Sequence, residues 1–160
     1  MIRLLQYDFV RLDALRGDAT QVDGLPVVDG ALPPTFVIDE AIVALRAGGE
    51  APWCAPFAFV ERERGRIVGS GIFKGEPDEG WVEIGYGVAA GCRGAGHATD
   101  AVFEMVRLAF AQPGVRAVYA ETSTVNGASR RVVEKVGFMH AGQRFSDDDG
   151  MVDCWFVEKS

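Results

Sequence analysis

Residues 88 to 106, VAAGCRGAGHATDAVFEMV, end a β-rich run, pass three glycines and an arginine, and enter a helical repeat. Glycines between a strand and a helix let main-chain N–H groups come close to an anion, and the first helical turn adds partial positive charge. Phosphate is the natural guest of such a turn, and spacing decides among the phosphate folds. Gly91 and Gly96 match the outer glycines of G-x-x-x-x-G-K-[ST], but His97 and Ala98 stand where a lysine and a hydroxyl would reach phosphate and magnesium. Gly94 and Gly96 begin a G-x-G-x-x-G fingerprint that fails at Thr99, and the runs before them read as antiparallel hairpins. A P-loop and a dinucleotide fold are both disfavoured.

The remaining pattern predicts mixed α/β structure. Residues 2–8 read as a strand, VRLDALRG as a short helix ending at Gly17, and residues 17–34 as loop. TFVIDEAIVALRAGG spaces Phe36, Ile38, Ala41, Ile42 and Leu45 for a helix with a Gly-Gly stop. FAFVERERGRIVGSGIF holds two strands around a charged turn, and WVEIGYGVA follows as a third. The helix after the glycines places Ala98, Ala101, Val102, Met105, Leu108 and Ala109 on one face, with His97, Asp100, Glu104 and Arg107 opposite. VRAVYAETS is a strand, Asn126 caps a helix that Gly137 ends, and FMHAGQRF and MVDCWFVEK form a hairpin across Asp149-Gly150.

A chain of 160 residues fits a single domain, taken here as residues 1–160, and its 48% hydrophobic content is that of an ordinary globular protein. The net charge of -7 argues against nucleic acid and anionic membrane as partners and favours cationic ones such as amines. With no secretory or membrane-spanning run, the expected location is the cytoplasm. Cys54, Cys92 and Cys154 are widely spaced, and His97 and His140 stand alone as expected surface or turn residues, so no metal site is expected. SDDDG lacks calcium-loop spacing and reads as a polar hairpin tip.

The stretch from Val88 through Arg93 and Gly96 to Ala98 fits V-x-x-x-x-R-x-x-G-x-A and resembles the acetyl-CoA motif of the GNAT superfamily of N-acetyltransferases. NGASRRVVEKVGF is similar to a second helix of that superfamily, particularly in its ribosomal-protein N-terminal acetyltransferase branch (RimJ/RimL-like). The resemblance covers roughly residues 57–158; residues 1–56 match the branch only loosely and lack its arginine-rich first strand. It implies a GNAT-like fold of the α/β (α+β) class, with a mixed, mostly antiparallel sheet of six to seven strands and flanking helices. The implied reaction is direct attack of a primary amine, on a small molecule or a protein N-terminus, upon acetyl-CoA as cosubstrate. A noncatalytic acyl-CoA-binding or sensing module is the alternative. Such domains often pair through sheet edges or helices, which leaves a homodimer open.

By the same resemblance, Arg93, Gly94, Ala95, Gly96, His97 and Ala98 would hold the CoA pyrophosphate. Gly87 and Val88 would pair with the pantetheine arm, one N–H polarising the thioester carbonyl; losing such a donor costs roughly 3 kcal/mol. Asn126 would touch the same arm while serving as a helix cap. Glu83, on a strand face with the small residues Gly85 and Gly87, is the first candidate general base, and Glu121 the second; either could instead be a carboxylate pairing across the sheet. A base matters most for a lysine-like amine, about 0.04% neutral at pH 7, and less for an α-amine, about 10% neutral. Many members carry a tyrosine as thiolate-protonating acid seven residues after the asparagine; Val133 stands there, and Ser129 is the nearby hydroxyl that could donate to sulfur. Arg130 and Arg131 could reach a CoA phosphate or simply be solvated. Trp53, Phe36 and Phe145 are candidate walls of an acceptor groove.

Overall fold

The computed structural model describes residues 1–15 and 19–160. Strand β1 (Ile2–Gln6) leads to helix α1 (Phe9–Ala14), whose first turn Asp8 caps by accepting from Arg11 N at 2.8 Å. Gly17, expected to end this helix, lies outside the described residues. Within the expected loop, β2 (Gln21–Val22) and β3 (Leu25–Pro26) pair as a small hairpin. Its turn needs two residues at positive φ, and Asp23 (51°) and Gly24 (78°) supply them, an Asp-Gly signal missed in the sequence. Helix α2 (Thr35–Arg46) buries Val37, Ile38, Ala41 and Ile42.

The remaining elements alternate around one main sheet. They are β4 (Phe57–Glu61), β5 (Arg66–Phe73), β6 (Trp81–Val88), α3 (His97–Phe110), β7 (Ala117–Ser123), α4 (Gly127–Val136), β8 (Met139–Ser146) and β9 (Gly150–Glu158). Among the described residues the main sheet has seven strands in the order β1-β4-β5-β6-β7-β9-β8. Every pairing is antiparallel except β6 with β7, the two strands that α3 connects. A parallel pair needs such a crossover, so the glycine turn must sit at the end of β6, at the sheet's one parallel seam.

Packing fixes the two faces. A Cβ on Gly71 of β5 would lie 2.7 Å from Met105 Sδ of α3, so glycine is what lets the helix settle on the sheet there. Ala101, Val102, Met105 and Ala109 of α3 are fully buried against that face, and α4 lies beside α3. Ser70 and Ile72 point to the opposite face, where they share a cavity with Phe36 and Val37 of α2. The fold class is the one expected: a mixed, mostly antiparallel sheet with flanking helices.

Candidate functional site

β6 and β7 part before either ends. Their register runs from Trp81↔Ala117 to Ile84↔Ala120 and stops, while β6 continues to Val88 and β7 to Ser123. Lys74 N donates to Glu83 O and Ala89 N donates to Val68 O, so residues 83, 85, 87 and 89 use their main-chain groups toward β5. Alternation then turns the N–H and C=O of Tyr86 and Val88 toward β7, which has moved away. Gly87 is committed to the β5 ladder and contributes an absent side chain instead: a Cβ built on it meets no atom within 4 Å.

A cavity of about 370 Å³ occupies the gap, walled by the end of β6, the turn into α3, and one face of α4. The turn tightens as a single 3₁₀ turn at Ala90–Cys92, and Gly94 (φ 83°) and Gly96 (φ 81°) then take left-handed conformations that bring the chain to the start of α3. A side chain at either glycine would be strained, costing roughly 1–2 kcal/mol. The N–H groups of His97, Ala98 and Thr99 begin the helix without intrahelical acceptors, since its first closing bond runs from Asp100 N to Gly96 O. Arg93, Arg131 and Lys135 line the cavity, no aspartate or glutamate does, and among the described residues none of these three cations has an ion-pair partner. In a chain of net charge -7 this is a local concentration of positive charge and free N–H donors.

Of the residues expected to hold CoA, the cavity brings together Gly87, Val88, Arg93, Gly94, Gly96, His97, Ala98 and Asn126, with Ser129 beside them. Ala95 is exposed and outside the lining. Asn126 Oδ1 accepts from Ser129 N at 3.1 Å as the cap of α4. Arg131 faces the cavity, whereas Arg130 pairs with Glu134 at 2.9 Å and lies over the Trp155 ring. Val133 is fully buried, which sets its side chain in the core away from the lining.

His97 is a correction. Expected on the solvent face of α3, it is 9% exposed, with Nε2 3.7 Å from Glu61 Oε1 and a buried Nδ1 that has no hydrogen-bond partner. The helix period placed it with Asp100 and Glu104, but the first turn of α3 docks against the end of β4, where Glu61 and Arg66 form an ion pair at 2.6 Å. The Arg66 hydrogen bond holds the Glu61 carboxyl below its usual range. His140 is likewise engaged: its Nε2 shares a 2.9 Å hydrogen bond with the buried Asp153 carboxylate. Among the described residues no cluster of His, Cys, Asp and Glu side chains could hold a metal ion.

The two candidate bases differ. Glu83 is partly buried and pairs with Lys74 Nζ at 3.1 Å. Glu121 receives both Arg144 nitrogens, one at 2.8 Å, and the Tyr119 hydroxyl at 2.6 Å. Arg144 above all holds the Glu121 carboxyl below its usual range, which makes it a weak proton acceptor. Neither carboxylate lines the cavity.

Sequence reasoning missed Tyr86 and Lys135. Tyr86 donates its hydroxyl to the Ser129 carbonyl at 3.3 Å, tying β6 to α4 across the cavity, and burial pushes its pKa up to about 12. Its parity opposite Gly85 and Gly87 was the available signal; for Lys135, it was the spacing of four from Arg131 on one helix face. A second cavity, about 290 Å³, lies on the other face and shares Tyr86, Gly87 and Val88 with the first. Phe36 lines it as expected of an acceptor wall, whereas Trp53 packs on Phe73 and Phe145 lies exposed on β8.

The sequence model of a family described as an acetyltransferase (GNAT) domain matches residues 16–139. FsC-acetyl coenzyme A-N(2)-transacetylase of Aspergillus fumigatus is 39% identical over 67 residues, 42% of this chain and 28% of that protein. An uncharacterized N-acetyltransferase of Bacillus subtilis, YjdG, is 31% identical over 81 residues, 50% of this chain and 48% of that protein. The matches thus span less than half the length of either curated relative. Among solved structures, the aminoglycoside acetyltransferase AAC(6')-Ib in complex with coenzyme A superposes with a TM-score of 0.69 at 21% identity, over 99% of this chain and 95% of that one. A spermidine N-acetyltransferase SpeG chimera from Vibrio cholerae and hSSAT gives 0.70 at 12% identity, over 98% and 95%. At these identities the likeness is one of fold.

Proposed function

The chain belongs to the GNAT acetyltransferase family, and on that premise we propose that residues 1–160 act as an acetyl-CoA-dependent N-acetyltransferase whose acceptor is a primary amine. The observation that carries the proposal is the cationic cavity between the parted strands β6 and β7. Its donor set suits a pyrophosphate joined to a neutral arm. Free N–H groups of α3, Arg93, and Arg131 and Lys135 of α4, cations without an ion-pair partner among the described residues, stand at one end, and the free main-chain edge of Tyr86 and Val88 offers an extended amide chain a strand-like partner at the other.

Acetyl-CoA, when bound, supplies the activated acyl group. The turn from Arg93 to Ala98 binds phosphate, with Arg131 and Lys135 adding charge from α4. Val88 N–H, unpaired in the sheet, is the donor available to an oxyanion, and it needs no rearrangement because β5 holds the strand from its other side. Gly87, lacking a side chain, leaves open space where the two cavities share lining. Glu83 takes the proton of the incoming amine, directly or through water, and Lys74 sets its position. Ser129 offers a hydroxyl to the sulfur side of the cavity. We assign Glu121 to holding Arg144 and β8 in place, because its oxygens are already engaged.

The amine belongs to a small molecule in this proposal; the proteins of like fold named above are aminoglycoside and spermidine acetyltransferases. The resemblance of residues 126–138 to ribosomal-protein N-terminal acetyltransferases supports a peptide N-terminus as the second candidate. Release of free CoA, followed with a thiol reagent over a panel of amines and N-terminal peptides, tests the reading. Amine-dependent release is expected. Tight acetyl-CoA binding without acceptor-dependent release would make the chain a noncatalytic binding module.

A further inference from the structure

The second cavity says which amines fit. Leu32 and Pro34, from the segment before α2, and Phe36 and Val37 of α2 close over Ile72 of β5 and the main chain of β6 from Gly85 to Val88. Among the described residues no Asp, Glu, Lys, Arg or His lines it; Ser70 supplies a hydroxyl, while the Tyr86 side chain turns to the other face and donates to the Ser129 carbonyl. The nearest carboxylate along the same strand face, Glu83, is neutralised by Lys74 at 3.1 Å. The carboxylates of Asp29, Asp39 and Glu40, which flank this segment in sequence, are outside the lining. At about 290 Å³ the cavity lies at the small end of small-molecule sites.

Resting on the acetyltransferase reading, we propose that the acceptor is a compact monoamine on an apolar body, an arylalkylamine or branched alkylamine, and that Phe36 is a specificity-determining residue. The cavity wall favours such a body through burial of its apolar surface. The same wall favours the neutral, attacking form of the one amine, because low-dielectric surroundings disfavour an ammonium. Every further ammonium on a polyamine or aminoglycoside would lose its hydration with no carboxylate among the described lining residues to receive it. In the transfer the amine lone pair forms the new C–N bond, the C–S pair leaves with sulfur, and the proton shed by nitrogen passes by way of Glu83 to sulfur or water. No further reactant is consumed.

The test compares phenethylamine, spermidine and kanamycin as acceptors, by kcat/KM and by calorimetric binding to the protein loaded with CoA. Phenethylamine is expected to lead by tenfold or more in both. Phe36 is 64% exposed, so Phe36→Ala should fold normally and raise the KM for phenethylamine about tenfold, the loss of one aromatic wall, with acetyl-CoA affinity unchanged. Phe36→Glu should shift preference toward spermidine. A wild-type preference for spermidine or kanamycin, or indifference to both substitutions, would overturn this inference and leave the acetyltransferase reading intact. If acetyl-CoA fails to bind, or binds and is released to no amine, that reading falls and the inference with it.

Discussion

Gly87 stands in the wall shared by the two cavities, and a Cβ there would meet no atom within 4 Å. Gly87→Val should therefore leave folding nearly unchanged, within about 1 kcal/mol on strand propensity, while filling the open space at this shared wall. Calorimetry should show acetyl-CoA affinity falling at least tenfold beside an unaltered thermal midpoint. Glu83→Gln should lower kcat roughly 10²-fold with acetyl-CoA affinity retained and flatten the acid limb of the pH–rate profile; unchanged turnover would remove Glu83 from the mechanism. Ser129→Ala should cost about fivefold in kcat, the worth of one hydrogen bond of ~1 kcal/mol. At this scale the sequence was readable wherever a residue acts through its immediate neighbours. Gly94 and Gly96 marked a tight turn between strand and helix, which their positive φ values make. His97 did not yield its burial, because its surroundings come from Glu61 on a strand thirty-six positions away.

Among the elements, α4 joins capping to binding. Asn126 and Gly137 delimit it, both plain in the text because caps are local. The face it presents to the cavity carries Arg131 and Lys135 one turn apart. Replacing both with alanine should weaken acetyl-CoA binding about tenfold at low salt and reduce the loss of affinity on raising salt, because screened phosphate contacts would be fewer. Equal salt slopes for variant and wild type would mean that these side chains point elsewhere in solution. The β2–β3 hairpin was passed over because two-residue strands carry almost no periodicity, although Asp23-Gly24 announced the turn. The apolar acceptor cavity was out of reach for a different reason: Leu32 and Phe36 meet Ile72 and Gly85 only after α2 lies on the sheet.

Over the whole molecule, three carboxylates, two buried and one half-buried, stitch strands of the sheet together: Glu61 to Arg66 across the β4–β5 hairpin, Glu121 of β7 to Arg144 of β8 across β9, and Asp153 to His140 and Gln143 of β8. Hydrogen bonds from those partners hold each below its ordinary value, 4.5 for the glutamates and 3.8 for the aspartate. A carboxylate lowered on folding contributes stability in full above its unfolded value and loses it as pH falls through the folded one. The thermal midpoint should accordingly change little from pH 7 to about 5 and drop steeply below 4.5; a midpoint flat to pH 3 would contradict these pairings. Apart from β2 and β3, the order of elements was legible in the sequence, since hairpin turns and one strand-helix-strand crossover dictate it. The parting of β6 from β7 was not, because no local rule says where a ladder stops. The most direct measurement is a crystal structure of the chain with CoA. The pyrophosphate oxygens are expected within hydrogen-bonding distance of main-chain N–H groups between Gly94 and Thr99, with the thiol beside Val88. CoA bound at any other site would contradict this.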